Sequence, residues 1–183
     1  MPDLDLLAEE VLVSGRTLRR AAGRGTIRCR RLGERRILLS PTEYQYVRSR
    51  WPLFARLLTV LRTLPNVRLA VLYGSVARGE EHDGSDLDLL VKLRRDDFQA
   101  RAELRERLQA AAGRRAQLVG LGEAEQSSLL LSDALRDGRV LVDRDGDWQR
   151  LRRRERVIER RAREEDERLD EEAWSTLESL EVQ

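Results

Sequence analysis

The sequence predicts a mixed α/β fold built on a mixed sheet, with a small basic module before it and a charged helix after it. From Val67 onward, short apolar runs alternate with helical patterns, as expected for strands that alternate with helices. Two helical segments, a hairpin pattern and a long helix precede that point. After Asp147, apolar residues recur at helical spacing among many charges. We therefore expect three structural units, over residues 1–64, 65–147 and 148–183.

The composition indicates a globular chain with an aliphatic core. Of its 183 residues, 40% are hydrophobic, 37% are charged and only 4% are aromatic. The apolar runs fall far short of the roughly 18 residues that a transmembrane helix needs, and the acidic start lacks the pattern of a secretory signal. Cys29 is the only cysteine, which excludes an intrachain disulfide and a cysteine-based zinc site. We expect a cytoplasmic protein without membrane association.

The first 40 residues predict two helices and a hairpin. Apolar residues at helical spacing indicate the first helix, and Ser14 is a suitable cap for the second. Two short predicted strands then flank a Gly33-Glu34 turn, which is typical of a hairpin. The predicted elements are helices over residues 3–12 and 14–22 and strands over residues 26–32 and 35–39.

A longer helix is predicted after the hairpin. Ser40 is its cap, Pro41 occupies the first helical position, and Glu43 stands three residues past the cap. Pro65 and the asparagine after it end the helix near residue 64. It is long enough to join two modules.

The following part predicts alternating strands and helices. A turn and the start of a helix are expected at Gly74, directly after the first strand. The predicted strands cover residues 67–73, 86–93, 116–121 and 140–142, and the longer helices cover residues 96–112 and 124–136.

The segment between the first two of these strands carries the most specific pattern. Gly74 and Ser75 directly follow a buried strand, and ten residues separate Ser75 from the aspartates Asp86 and Asp88. Glycine permits a tight turn that lets the amides of a helix start face an anion. Two aspartates two positions apart on a strand leave the same face of the sheet, and paired carboxylates suit Mg²⁺.

This pattern resembles the nucleotidyltransferases of the DNA polymerase beta superfamily, in particular the small minimal nucleotidyltransferases, over about residues 66–145. The resemblance implies their fold, with Gly74 and Ser75 binding the phosphates of a nucleoside triphosphate. It also implies that Asp86 and Asp88 are catalytic and hold Mg²⁺ or Mn²⁺, which activates an acceptor hydroxyl and stabilises the leaving pyrophosphate.

Other residues of the same segment are candidates for nucleotide contact. Ser85 is one, and Arg78, one turn past Ser75, is another. His82, the only histidine, is either a proton carrier near the phosphates or a solvated loop residue. Arg78 has the alternative of pairing with a carboxylate of its own loop, namely Glu80, Glu81 or Asp83.

One position departs from the pattern of active family members, in which a third carboxylate comes from the next strand. Gln117 stands there in this sequence, and a neutral amide cannot supply the charge that binds a metal or draws a proton from the acceptor. Glu123 or Glu125, in the following loop, are alternative sources of that charge.

The N-terminal region is basic. Residues 1–65 carry 13 basic and 6 acidic side chains, and their predicted elements resemble excisionase-like or MerR-like winged helix-turn-helix domains. That plan implies that the second helix enters the major groove of duplex DNA while the hairpin contacts the backbone or the minor groove. The alternative is a solvated arginine-rich face. The predicted DNA-binding residues are Arg16, Arg19, Arg20, Arg28, Arg30, Arg35 and Arg36.

Two functions follow from these observations. The first is an enzyme that binds Mg²⁺ and a nucleoside triphosphate and transfers a nucleoside monophosphate to a hydroxyl. The second is an antitoxin or transcriptional regulator with little turnover, because minimal nucleotidyltransferases are often paired with HEPN-type ribonuclease toxins. The last 36 residues form either an exposed charged helix or a helix that binds a partner or forms a homodimer.

Overall fold

The structure is a computed structural model that describes residues 4–32 and 36–181. Within these ranges, side chains are described for residues 4–31 and 37–174. The predicted turn at Gly33-Glu34 and the predicted DNA-binding residue Arg35 lie outside the described residues.

Two of the N-terminal helices begin where the cap signals place them. The Ser14 hydroxyl accepts from the backbone N–H of Thr17 at 3.2 Å, and the Ser40 hydroxyl accepts from that of Glu43 at 3.0 Å, so both helices have the predicted caps. The elements are α1 (Leu4–Glu10), α2 (Gly15–Arg24), β1 (Arg30–Leu32), β2 (Arg36–Leu38) and α3 (Pro41–Thr63).

The rest of the chain forms a four-stranded mixed sheet with helices on both faces. The strand order is β5-β4-β3-β6, in which β3 is antiparallel to both neighbours while β4 and β5 are parallel. The elements are β3 (Val67–Tyr73), α4 (Gly74–Arg78), β4 (Leu87–Leu93), α5 (Phe98–Ala112), β5 (Ala116–Gly120), α6 (Leu121–Ala124), α7 (Ser128–Asp137), β6 (Arg139–Asp143), α8 (Asp147–Arg153) and α9 (Glu155–Glu181).

Two hydrophobic clusters cover the two faces of the sheet. Because successive strand residues point to opposite faces, Ala70 and Leu72 belong to the larger cluster, with residues of α1, α2, α3 and α5. Leu69 and Val71 belong to the smaller one, with residues of α7, α8 and the start of α9. The N-terminal helices thus share a core with the sheet.

The segment after α2 differs from the predicted hairpin strand. The Thr26 hydroxyl donates to the carbonyl of Val140 at 2.5 Å, and the backbone N–H of Arg28 donates to the carboxylate of Glu43 at 2.9 Å. These bonds direct residues 26–28 toward β6 and α3, so β1 begins at Arg30 rather than at Thr26.

Two further boundaries differ for reasons of capping. The predicted helix over residues 124–136 begins later, as α7 at Ser128, because Ser127 caps it by accepting from the N–H of Leu130 at 3.3 Å. The C-terminal helical stripe is interrupted at Arg154 between α8 and α9. No helix in the described part of the chain has the length and apolar character needed to cross a bilayer.

Candidate functional site

The predicted glycine turn and the predicted carboxylates meet at one end of β3 and β4. Tyr73, the last residue of β3, is the register partner of Asp88, so the start of α4 lies directly beside that side chain. Gly74 has φ of +73°, and a Cβ added there would lie 2.5 Å from the Asp88 Oδ2. Only glycine fits this position, for its backbone conformation and for the approach of Asp88.

The start of α4 is open. Its N-cap residue, Tyr73, makes no side-chain cap bond within the described chain, so the first amides of the helix lack that partner. Burial, with the negative charges of Asp88 and Asp133 adding to it, raises the pKa of the Tyr73 phenol to about 12. Its hydroxyl therefore stays protonated at neutral pH.

Asp86 and Asp88 form an unbalanced pair of negative charges. Burial raises the pKa of Asp88 above its ordinary value, the charge of Asp86 raises it further, and Arg78 acts in the opposite direction. The nearest cation to Asp86 is the exposed Arg115, whose Nε lies 3.9 Å from the carboxylate. Because the two carboxylates repel each other, a cation bound between them would lower the free energy of the site.

Gln117 occupies the position next to this pair. In the parallel pairing of β4 and β5, Gln117 is the register partner of Asp88, and its side chain is exposed. This is the strand on which the resemblance to active family members implies a third carboxylate. Glu123 instead follows the far end of β5, where its carboxylate accepts from the N–H of Gly120 at 2.9 Å and pairs with Arg101 at 2.6 Å. The structure therefore gives Glu123 a capping role away from Asp88.

The two carboxylates fit a divalent cation only in part. Paired carboxylate oxygens are the ligands that Mg²⁺ takes in nucleotide sites, and the space beside Asp88 is kept free of a Cβ by Gly74. Among the described residues, however, no group of three or more His, Cys, Asp or Glu is arranged to hold a metal. The protein thus supplies two carboxylates, and further ligands would come from nucleotide and water.

The far end of α4 is anchored by a buried network that the sequence analysis missed. Arg139, 2% exposed, donates from Nε to the carbonyl of Ala77 at 2.7 Å and pairs with Glu43 at 2.6 Å. Its guanidinium lies 3.7 Å from the ring centroid of Tyr46, whose hydroxyl donates to the carbonyl of Val76 at 2.8 Å. A lone charged residue at the start of an apolar strand was the only sequence signal for this network.

Arg78 and the loop residues are engaged within the protein. Arg78 pairs with Glu80 at 2.6 Å, one of the predicted alternatives, and with Asp137 at 2.8 Å. The hydroxyl of Ser85 accepts from the backbone N–H of His82 at 3.0 Å, and His82 is exposed. These bonds shape the loop between α4 and β4, and the nucleotide contacts of Arg78 and Ser85 stay predictions.

The arginines predicted for the DNA-facing helix lie on α2. Arg16, Arg19 and Arg20 are exposed, whereas Leu18 is completely buried. Arg19 pairs with Asp5 of α1 at 2.6 Å. The helix thus presents a basic face, part of which is neutralised by α1.

The arginines predicted for the hairpin are not equivalent. Arg28 and Arg30 are both exposed, but Arg28 also donates from its guanidinium to the carbonyl of Asp137 at 2.6 Å. Burial, followed by the positive charge of Arg139, lowers the pKa of Arg28. Arg36 lies on β2, and its side chain is outside the described set.

The glycine turn at Gly74 and the two carboxylates lie at one end of a four-stranded mixed sheet. The polymerase beta nucleotidyltransferase domain matches residues 56–147, so the chain belongs to this family. The matched range begins inside α3, ahead of the predicted boundary at residue 65. A comparison with curated proteins gave no match.

Solved structures share this fold. One is a chain in the crystal structure of a toxin-antitoxin with AMP-PNP, with 24% identity and a TM-score of 0.54 over 66% of this chain and 98% of that chain. Another is a chain in the complex of a tri-AMPylated Shewanella oneidensis HEPN toxin with an MNT antitoxin, with 22% identity and a TM-score of 0.50 over 67% and 96%. At these identities the similarity shows the fold.

Proposed function

We propose that the protein binds a nucleoside triphosphate with Mg²⁺ or Mn²⁺ at the start of α4. The supporting observation is that Gly74 leaves room for Asp88 beside the open end of a helix. Negative phosphates are stabilised by helix N-terminal amides, and the cation neutralises both the phosphates and the two carboxylates. Each feature is otherwise unfavourable, because an open helix end and paired like charges both cost free energy.

The residues have separate roles in this proposal. Gly74 and Ser75 contact the phosphates, Asp86 and Asp88 hold the cation, and Arg78 and Ser85 contact the nucleotide. The bound cation would polarise the phosphate oxygens. The carboxylate of Asp137, at the end of α7, pairs with the Arg78 guanidinium and restrains its position.

Transfer of a nucleoside monophosphate to a hydroxyl is expected to be slow. An acceptor hydroxyl must lose its proton as it attacks the α-phosphate while pyrophosphate leaves, and a nearby carboxylate assists that loss. Gln117 is neutral and lies opposite Asp88, so it supplies no such charge. We infer a site that binds nucleotide well and transfers it poorly.

Calorimetry tests the site directly. Mg²⁺-dependent ATP binding is measured for the wild type and for Asp86→Asn/Asp88→Asn, and the wild type should bind at least tenfold more tightly. Asp83→Asn, an exposed carboxylate change in the same loop, is the control and should bind as the wild type does. Equal binding by the wild type and the double variant would refute the proposed cation site.

A second proposal is that the protein is the antitoxin of a toxin-antitoxin pair. The similar folds found in a toxin-antitoxin with AMP-PNP and in a HEPN toxin complex with an MNT antitoxin support it, and the expected low turnover agrees with a regulatory role. The partner would be a HEPN-type toxin. Coexpression with the product of an adjacent gene should give a stable complex, and labelled ATP should show whether that product accepts the nucleotide.

We also propose that the N-terminal region binds duplex DNA. Exposed Arg16 and Arg20 on α2 and exposed Arg30 on β1 support it, and each phosphate neutralised releases counterions, which makes binding steeply salt-dependent. A mobility shift on the DNA upstream of the gene, at two salt concentrations, should show binding that Arg20→Ala weakens. Arg105→Ala, an exposed change on α5, is the control. Binding that is unaffected by salt and by Arg20→Ala would leave the solvated-face interpretation.

A further inference from the structure

A cavity of about 290 Å³ lies between α2 and α3, away from the nucleotide site. Three arginines line it, Arg20 and Arg24 from α2 and Arg62 from α3, together with Thr17 and Trp51. Neither aspartate nor glutamate lines it. It is therefore a confined space with cationic walls.

The three guanidinium groups have no carboxylate partner in the part of the chain whose side chains are described. Over residues 4–31 and 37–174, no carboxylate forms an ion pair with Arg20, Arg24 or Arg62. Burial lowers the pKa of Arg24, and the positive charges of Arg62 and then Arg20 lower it further. The arginines thus repel one another across the cavity, and an anion between them would reverse that cost.

Arg24 is also fixed in position. Its guanidinium donates to the carbonyl of Leu141 at 2.6 Å, which uses one of its five N–H donors. The remaining donors of a held guanidinium need little ordering to bind an oxyanion. Arg20 and Arg62 are exposed and can move to close on it.

A second, independent observation comes from Trp51. This residue is 3% exposed, and its indole Nε1 is buried without a hydrogen-bond partner among the described residues. A buried donor without a partner costs about 1–3 kcal/mol, and the indole N–H can only donate. Because Trp51 lines the cavity, a buried donor without a partner lies next to the three arginines, and its indole group can report on a bound anion.

We propose that this cavity binds a small phosphate-bearing anion. Phosphate oxygens accept hydrogen bonds from several guanidinium groups at once, and the planar set of donors on arginine suits phosphate better than the single ammonium group of lysine. The volume lies at the lower end of the range for small-molecule sites, about 300–1,000 Å³, which suits a phosphate or pyrophosphate group with at most a small organic part.

Titration with pyrophosphate and with inorganic phosphate tests the site on the full chain. Mg²⁺ is removed with EDTA, so that the carboxylate pair at Asp86 and Asp88 is not loaded and failure of the nucleotide proposal does not affect the result. The readout is the indole N–H signal of Trp51 in ¹H–¹⁵N spectra, assigned by Trp→Phe substitution at each of the three tryptophans. We expect that signal to shift and saturate.

Matched charge changes locate the binding. Arg20→Gln/Arg62→Gln should weaken pyrophosphate affinity at least tenfold, whereas Arg105→Gln on α5 should change it less than twofold. Arg24 is left unchanged because it holds the Leu141 carbonyl. An unmoved Trp51 signal, or equal affinity in the double variant, would overturn the proposal.

A short DNA duplex provides the second arm, because its backbone offers the same phosphate chemistry. If the duplex shifts the Trp51 signal and pyrophosphate does not, the small-anion proposal is wrong and the cavity binds a phosphate of the DNA backbone. If pyrophosphate shifts the signal and the duplex does not, the proposal is confirmed as stated.

Discussion

The two ends of α4 are held in opposite ways. At its C-terminal end, the buried Arg139 satisfies the carbonyl of Ala77 and is itself neutralised by Glu43. At its N-terminal end, the helix has no side-chain cap in the described structure and lies beside the like-charged Asp86 and Asp88. One end is complete without a ligand and the other is not. Because α4 has only five residues, the bonds at its C-terminal end hold the helix in place while its N-terminal end has no side-chain cap.

The largest expected effect is on the buried pair at the C-terminal end of α4. Glu43→Gln removes the charge that neutralises a guanidinium 2% exposed, and breaking a buried pair in this way costs about 3–5 kcal/mol. Denaturant unfolding measures it. Glu103→Gln, which breaks the exposed pair with Arg107, should cost about 0.5 kcal/mol or less. Similar losses in both variants would show that the buried pair is no more important than a surface one.

The next largest effect is expected at the N-terminal end of α4. Comparing two glycine substitutions there and elsewhere separates the cost of backbone strain from that of contact with Asp88. Gly74 and Gly113 have φ of +73° and +70°, so an alanine at either costs about 1–2 kcal/mol of stability. Only at Gly74 would the Cβ meet Asp88, while at Gly113 nothing lies within 4 Å. Gly74→Ala should therefore weaken Mg²⁺-ATP binding at least tenfold in calorimetry, and Gly113→Ala should leave it unchanged. Equal binding by the two variants would contradict the proposed site.

Gln117→Asp is expected to strengthen cation and nucleotide binding at the N-terminal end of α4. A third carboxylate beside Asp88 should raise Mg²⁺-ATP affinity about tenfold, or about 1.4 kcal/mol, and should raise the transfer of labelled nucleotide. Gln149→Asp, an identical change at an exposed position of α8, controls for net charge. If the wild type transfers nucleotide rapidly and Gln117→Ala does so too, the rate does not depend on position 117.

The smallest effect is the pH dependence of stability without metal. Burial and then Asp86 raise the pKa of Asp88 in the folded state, so the folded protein holds its proton more tightly than the unfolded chain does. Stability therefore falls as pH rises from the ordinary aspartate pKa through the raised folded pKa, and stays lower above it. Asp88→Asn should have a higher Tm than the wild type at pH 7 and an equal one below that window.

Two additions check this pH effect. Asp83→Asn, exposed in the neighbouring loop, should show no such difference in Tm. Excess Mg²⁺ should stabilise the wild type and remove the advantage of Asp88→Asn. A Tm for Asp88→Asn below that of the wild type at pH 7 would show that the carboxylate stabilises the fold.

The sequence predicts those parts of the site that depend on neighbours in the chain. Residues 67–73 form β3 as expected, and the cap at Ser40 starts α3 where predicted. The strand bearing Asp88 was predicted from its short apolar run, and its pairing with β5 puts Gln117 opposite Asp88. Local spacing is sufficient for these features because strand periodicity fixes which side chains share a face.

What the sequence does not reveal is how distant residues are paired. Glu43 was predicted only as a helix-start residue, yet it neutralises Arg139 at a separation of 96 positions. Arg78 pairs with Asp137 over 59 positions, although only nearer carboxylates were considered. These pairs arise because α3 packs against β6 and α4 packs against α7. The order of charges along the chain does not show which distant elements come together.

The bonds that join the N-terminal segment to β6 have a consequence for the order of folding. Arg24 and Thr26 donate to carbonyls 117 and 114 positions later in the chain. On the ribosome, α2 is synthesised long before the strand that receives it. Its buried Leu18 must wait in a partly exposed state, because contacts between distant segments form slowly and leave apolar surface uncovered meanwhile. A chain whose synthesis stops before residue 139 would keep that surface exposed and become a target for chaperones and proteases.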